Sequence, residues 1–145
     1  MLSYFQKFTA IINKWIGKTA DYDKAYGFQC VDFARQYASD AGYPIGTFSG
    51  SAYNGWKTGS PFNSKWLRVQ RNNNAPSTWD IVFFVPTPTN PYGHVAIADN
   101  GCTTTILKII EQNAGTGNGD GKGNNAIRKR TTTYSLCAGW YTIKA

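Results

Sequence analysis

Ala25-Tyr26-Gly27-Phe28-Gln29-Cys30-Val31-Asp32-Phe33 is the stretch on which the reading of the whole chain turns. Its first half has the glycine and aromatic character of a turn. Its second half opens a helical pattern in which Phe33, Ala34, Tyr37 and Ala38 share one face before Gly42 ends it. A thiol in the first turn of such a helix lies at the positive end of the helix dipole, which favours an anionic sulfur. The chain holds one histidine, His94, on the strand-like run 94–98, and Glu111 and Asn113 follow on the next such run. Cysteine, histidine and a polar orienter in that order point to nucleophilic catalysis.

Upstream of this stretch, Leu2, Phe5, Phe8, Ile12, Trp15 and Ile16 recur at three- to four-residue spacing. Ser3 and Gln6 make a capping box at one end and Gly17 a stop at the other, which predicts an amphipathic helix. Downstream of Pro44 come Gly, Ser and Asn punctuation and then short β-forming runs at 66–70, 80–85, 94–98, 104–113, 126–131 and 138–143. Helices first and strands later predict an α+β domain, with the N-terminal helices packed on a mostly antiparallel sheet of about six strands. The glycines between Gly115 and Gly123 neither satisfy G-x-G-x-x-G nor lead from a strand into a helix. That argues against a dinucleotide site and for a loop beside the cleft.

With 145 residues, 41% of them hydrophobic, the chain is long enough for one domain spanning 1–145 with a single core. Three cysteines cannot all pair internally, so a disulfide framework is not expected, although a single bond between Cys102 and Cys137 would leave Cys30 free. No apolar run is long enough to span a bilayer. The first twenty residues lack the charged and apolar regions of an export signal, since Gln6, Lys7, Asn13 and Lys14 interrupt them. The net charge of +7 suits an anionic partner, and the basic residues are scattered except for Arg128-Lys129-Arg130.

For catalysis the three groups must converge. By the period of two, His94, Ala96 and Ala98 share one strand face, and Leu107, Ile109, Glu111 and Asn113 share one face of the next strand. A two-residue turn at Asn100-Gly101 would set His94 opposite Leu107. A four-residue loop from Gly101 to Thr104 sets it opposite Glu111, and this is the register expected. Cys102 and Cys137 begin no helix, so neither is expected to act as the nucleophile.

Four segments carry a resemblance: Tyr26-Gly27-Phe28-Gln29-Cys30-Val31-Asp32, Trp79-Asp80-Ile81-Val82-Phe83-Phe84, Tyr92-Gly93-His94-Val95-Ala96-Ile97 and Ile110-Glu111-Gln112-Asn113. In this order and spacing the chain resembles the CHAP family, papain-like cysteine- and histidine-dependent amidohydrolases and peptidases that cut bacterial peptidoglycan. The resemblance implies that Cys30 attacks an amide carbonyl and His94 serves as base and then acid. Glu111 then orients the ring, and Asn113 is a second polar partner. It further implies an oxyanion site at the Cys30 backbone N–H with the Gln29 side chain, and substrate contacts at Tyr92 and Trp56. The expected partner is peptidoglycan, with no nucleic acid and no membrane insertion. Family members often carry a further wall-binding domain or subunit, and none fits within this chain. The expected setting is a phage product made in the host cytoplasm and acting on the wall, or an excised domain of a wall-acting protein.

Asp21, Asp23 and Asp32 stand at positions one, three and twelve of a segment that suits a hard cation. It departs from an EF-hand at Ala25, Tyr26 and Asp32. Phage endolysins of the CHAP type carry a similar calcium loop before the cysteine, which implies Ca2+ held also by the carbonyls of Ala25 and Gly27. The residues alone equally allow a solvated turn. A competing function is a non-catalytic binding module for wall polymer or another polyanion, with Trp56, Trp66, Tyr92 and neighbouring lysines as an aromatic and basic surface.

Overall fold

Ser3 accepts a hydrogen bond from the backbone of Gln6, and the Gln6 side chain accepts one from the backbone of Ser3, so a complete capping box opens the first helix, α1 (Tyr4–Trp15). The computed structural model describes residues 3–22, 30–112 and 126–144. Gly17, at φ +80°, ends the helical region in the left-handed conformation that glycine adopts without strain. The second helix, α2 (Cys30–Ala41), starts at the cysteine and stops before Gly42. Phe8 of α1 packs against Tyr37 of α2 and against Trp79, while the Trp15 indole donates to Asp40 at 2.8 Å. A third helix, α3 (Ala52–Thr58), is capped by Ser51 and closed by Gly59, and it falls in the region read from sequence only as turn punctuation.

Six strands follow: β1 (Trp66–Gln70), β2 (Ile81–Phe84), β3 (His94–Ala98), β4 (Leu107–Glu111), β5 (Arg128–Thr132) and β6 (Cys137–Ile143). They form one sheet in the order β1-β6-β2-β3-β4-β5, and every neighbouring pair is antiparallel. The expected α+β architecture with helices packed on an antiparallel sheet is therefore observed.

Alternation along the central strands sorts the core into two. Ile81, Phe83, Val95, Ile97 and Ile110 face α1 and α2, where Phe8, Ile12, Phe33, Ala34 and Tyr37 cover them. Val82, Phe84, Ala96, Ala98, Leu107, Ile109 and Trp140 form a second cluster on the opposite face, closed by Val69, Cys102, Tyr134 and Cys137. Burial on both faces explains why β2 reads as an uninterrupted apolar run.

The β3–β4 register differs from the expected one. Ile97 pairs with Ile110 and Ala98 with Ile109, a register that extrapolates to Ala96 opposite Glu111, two residues from the pairing of His94 with Glu111 read from sequence. The connection is longer than four residues: Asp99 donates to the Lys108 carbonyl, and Thr103 to that of Ile106. The Cys102 sulfur accepts from the Lys108 amide at 3.3 Å within this loop. A shift of two preserves the face, so His94 and Glu111 still project to the same side. None of the described helices is long and apolar enough to cross a membrane.

Candidate active site

The site forms where α2 meets the head of β3. α2 packs along β3, and its first residue, the half-buried Cys30, is a hydrogen-bond partner of the His94 ring at the first position of the strand. The ring's Nε2 lies 3.0 Å from Glu111 Oε1. An ionised carboxylate only accepts, so Nε2 carries the proton and donates, leaving Nδ1 to face the sulfur. The Phe84 ring, 5.8 Å from the imidazole between centroids, walls one side.

The His94 side chain is 13% exposed and that of Glu111 is fully buried. Burial works against a charged imidazole, but the charge and hydrogen bond of Cys30, followed by those of Glu111, outweigh it and raise His94 to about 9. Burial likewise opposes an ionised Glu111. The hydrogen bonds from His94 and Arg130, and then their charges, lower it to about 2. The ring is thus held as an imidazolium against a carboxylate that stays ionised across the neutral range.

Two residues not expected at the site, Arg128 and Arg130, bracket this carboxylate from β5. Arg130 Nε donates to Glu111 Oε2 at 2.5 Å and Nη2 donates to Oε1 at 3.0 Å, a two-pronged fork; Arg128 Nε lies 3.6 Å from Oε2. Glu111 pairs directly with Arg128, and Ile109 with Arg130. The Arg-x-Arg alternation in Arg128-Lys129-Arg130 was the signal for them, since a period of two puts both guanidiniums on one strand face. Lys129, on the other face, pairs instead with Asp99 at 3.7 Å.

Tyr92 is 64% exposed in the turn leading into His94, where Asn90 accepts from its backbone and donates to the Gly93 carbonyl. Trp56 requires a correction. It is 4% exposed, packed among Phe83, Tyr141 and the Arg68 guanidinium, because it lies on the buried face of α3; its ring belongs to the core and is not available to a substrate. Asn113 and Gln29 lie outside the described residues, as does the glycine-rich stretch from Gly115 to Gly123. The possible Cys102–Cys137 bond is not formed and all three thiols are free. Burial pushes the Cys102 thiol up and raises Cys137 to about 11.

Of the five candidate calcium ligands, Asp23, Ala25 and Gly27 lie outside the described residues. Asp21 Oδ1 is buried without a hydrogen-bond partner among the described residues, and Asp32 is 1% exposed in the first turn of α2. Both are hard oxygen donors of the type calcium takes. The described residues contain no group of three acidic, histidine or cysteine side chains able to hold an ion, so the set is incomplete without the Asp23 segment. The Gln112 amide exchanges hydrogen bonds of 2.6 and 2.8 Å with the backbone of Ala20, tying the segment before Asp21 to the end of the strand that carries Glu111.

A cysteine opening a helix, a histidine at the head of the neighbouring strand and a buried carboxylate on the next strand are thus brought together at one end of an α+β fold. The chain belongs to the CHAP domain family, whose model matches residues 18–113. Its fold is similar to that of the wild-type endolysin LysIME-EF1, with a TM-score of 0.74 at 17% identity over 99% of this chain and 65% of that one. It is also similar to Ly7917, with a TM-score of 0.65 at 20% identity, and to Ly7917 with the hydrolyzing product of MDP, with a TM-score of 0.64 at 21% identity. Both matches cover 98% of this chain and 63% of the other. The chain therefore spans just under two thirds of these structures. No curated protein matches it.

Proposed function

We propose that this protein hydrolyses an amide bond in bacterial peptidoglycan, as a peptide endopeptidase or an N-acetylmuramoyl-L-alanine amidase, with Cys30 as nucleophile. The observation that carries the proposal is the hydrogen-bonded series from Cys30 through His94 to Glu111. Membership of the CHAP family supports it. The likeness to structures described as an endolysin and as Ly7917 with a hydrolyzing product of MDP is consistent with it.

In the first half-reaction the Cys30 sulfur, its proton held by His94, attacks the carbonyl carbon. The oxyanion forms at the N-terminus of α2, where the Cys30 backbone N–H and the Gln29 side chain would donate to it. The C–N bond breaks as His94 passes its proton to the leaving amine, giving an acyl-thioester on Cys30. In the second, His94 takes a proton from water, the hydroxide adds to the acyl carbon, and the thiolate leaves with a carboxylate product. Glu111 keeps Nε2 protonated through both, so that Nδ1 alone exchanges protons with sulfur, amine and water. Asn113 would add a second polar contact to this orienting group.

Calcium is part of the proposal, held by Asp21, Asp23 and Asp32 with the carbonyls of Ala25 and Gly27. The buried oxygen of Asp21, without a hydrogen-bond partner among the described residues, supports it. When bound, the ion would supply fixed positive charge that orders the segment leading to Cys30. The charge of +7 would concentrate the protein on an anionic wall without a dedicated binding surface.

The deciding experiment is turbidity loss in cell-wall suspensions. Native protein should clear them and Cys30→Ala should not; equal clearing by both removes the cysteine mechanism, and no clearing by either leaves the binding-module reading. Mass spectrometry of the digest then separates amidase, which frees the muramic lactyl carboxyl, from endopeptidase, which frees a peptide amine within the stem or bridge.

A further inference from the structure

Among the described residues, Glu111 meets the reacting residues through one oxygen, Oε1, on His94. The torsion that orients a glutamate carboxylate is broad and roughly two-fold, so burial alone does not fix which way that oxygen points. Arg130 supplies the missing constraint. Its Nη2 shares Oε1 with the imidazole while its Nε takes Oε2, and two parallel bonds to a planar group set the carboxylate plane.

We propose that Arg130 is a positioning residue for the hydrolytic reaction: its fork fixes the Glu111 carboxylate, which fixes the His94 tautomer, which keeps Nδ1 aimed at Cys30. This rests on the reading of Cys30, His94 and Glu111 as the reacting centre. Among the described residues, the ring is faced by Cys30 of α2, Glu111 of β4 and Phe84 of β2. Glu111 is faced by His94 of β3 and by Arg128 and Arg130 of β5. The guanidiniums balance the carboxylate charge, so the imidazolium is not locked to it and can release its proton to the leaving amine. A lysine would keep the charge but not the fork, which makes Arg130→Lys the informative variant.

The chain contains a single histidine, so one imidazole gives all the ring signals in a nitrogen-15 spectrum. In the native protein we expect a hydrogen-bonded, exchange-protected Nε2–H and a single tautomer once the ring loses its charge. In folded Arg130→Lys the Nε2–H signal should vanish into exchange and the neutral ring should populate both tautomers. The kcat for wall hydrolysis should fall roughly 10- to 100-fold with KM little changed, the scale of a small misplacement of reacting groups. Arg130→Gln should behave alike, and if it fails to fold, Arg130→Lys decides alone. A native Nε2–H signal and tautomer in folded Arg130→Lys overturns the proposal, as does a native kcat. A lowered melting temperature with both unchanged would mark Arg130 as merely structural. If the native protein does not hydrolyse walls, the hydrolase reading falls, while the ring spectrum still judges the hold of Arg130 on Glu111.

Discussion

His94 and Glu111 meet on a diagonal: their side chains bond at 3.0 Å although the register of Ile97 with Ile110 sets Ala96, not His94, across from Glu111. The contact that joins Cys30 in raising the histidine therefore depends on reach along one face rather than on direct pairing.

The charged His94 gives a pH signature. A folded-state value raised to about 9 means that its contribution to stability is complete below the ordinary histidine value of about 6.5 and is lost as pH rises through about 9. The melting temperature of the native protein should decline over that window, and that of His94→Ala should lack this part of the decline. Activity should fall on the same basic limb. Glu111→Gln removes one of the two partners holding the charge, so the limb should move to lower pH; an unmoved limb would separate Glu111 from the ring.

Gly93 cannot be replaced cheaply. It sits at φ +70°, and a Cβ there would lie 2.7 Å from the Phe84 carbonyl oxygen and 2.9 Å from Tyr53 Cβ. The left-handed backbone alone costs a non-glycine residue about 1–2 kcal/mol. Gly93→Ala should lower the melting temperature and, by displacing the adjacent His94, reduce wall clearing more than the stability loss explains. A fully active Gly93→Ala would show that the turn adjusts without moving the ring.

The two aromatics Trp56 and Tyr92 should separate in experiment. Trp56→Ala empties a core site and should cost about 3–5 kcal/mol in a denaturant titration. Tyr92→Ala, at an exposed turn, should leave the melting temperature unchanged and weaken wall hydrolysis through KM. Equal effects on stability would contradict this division.

Calcium removal should lower both melting temperature and wall clearing, with calcium restoring both. Because Gln112 ties Ala20 to the end of β4, the loss should be felt at Glu111 as well as at Cys30. Unchanged melting in excess chelator would remove the ion from the proposal.

Much of this architecture is legible in the residues because it rests on local rules. The Ser3–Gln6 box, the glycines at 17 and 42 and the β-forming runs each announce themselves within a few positions. α3 escapes because it is seven residues long and contains Asn54 and Gly55, residues that otherwise mark turns; only Ser51 and Gly59 at its ends betray it. The β3–β4 register is out of reach of spacing rules because the connecting backbone is bonded by the Cys102 sulfur from within the loop and by the Tyr134 hydroxyl from between β5 and β6. Arg128 and Arg130 read as a surface charge run because their partner, Glu111, lies on a strand whose pairing with β5 is a tertiary fact. Trp56 read as surface because aromatic residues near basic ones resemble a binding face, whereas its indole fills the space that Gly139 leaves open.

β6, the last of the described strands, lies between β1 and β2, and among the described residues β1 has no other neighbour in the sheet. While the polypeptide emerges from the ribosome, residues 66–70 must wait unpaired until residues 137–143 appear to bridge them to the rest. Such long-range closure makes for slow folding. A nascent chain stalled short of β6 would leave β1 unpaired and the edge of β2 open to neighbouring chains, so residues 137–143 govern both when the sheet closes and how long the chain is prone to aggregate.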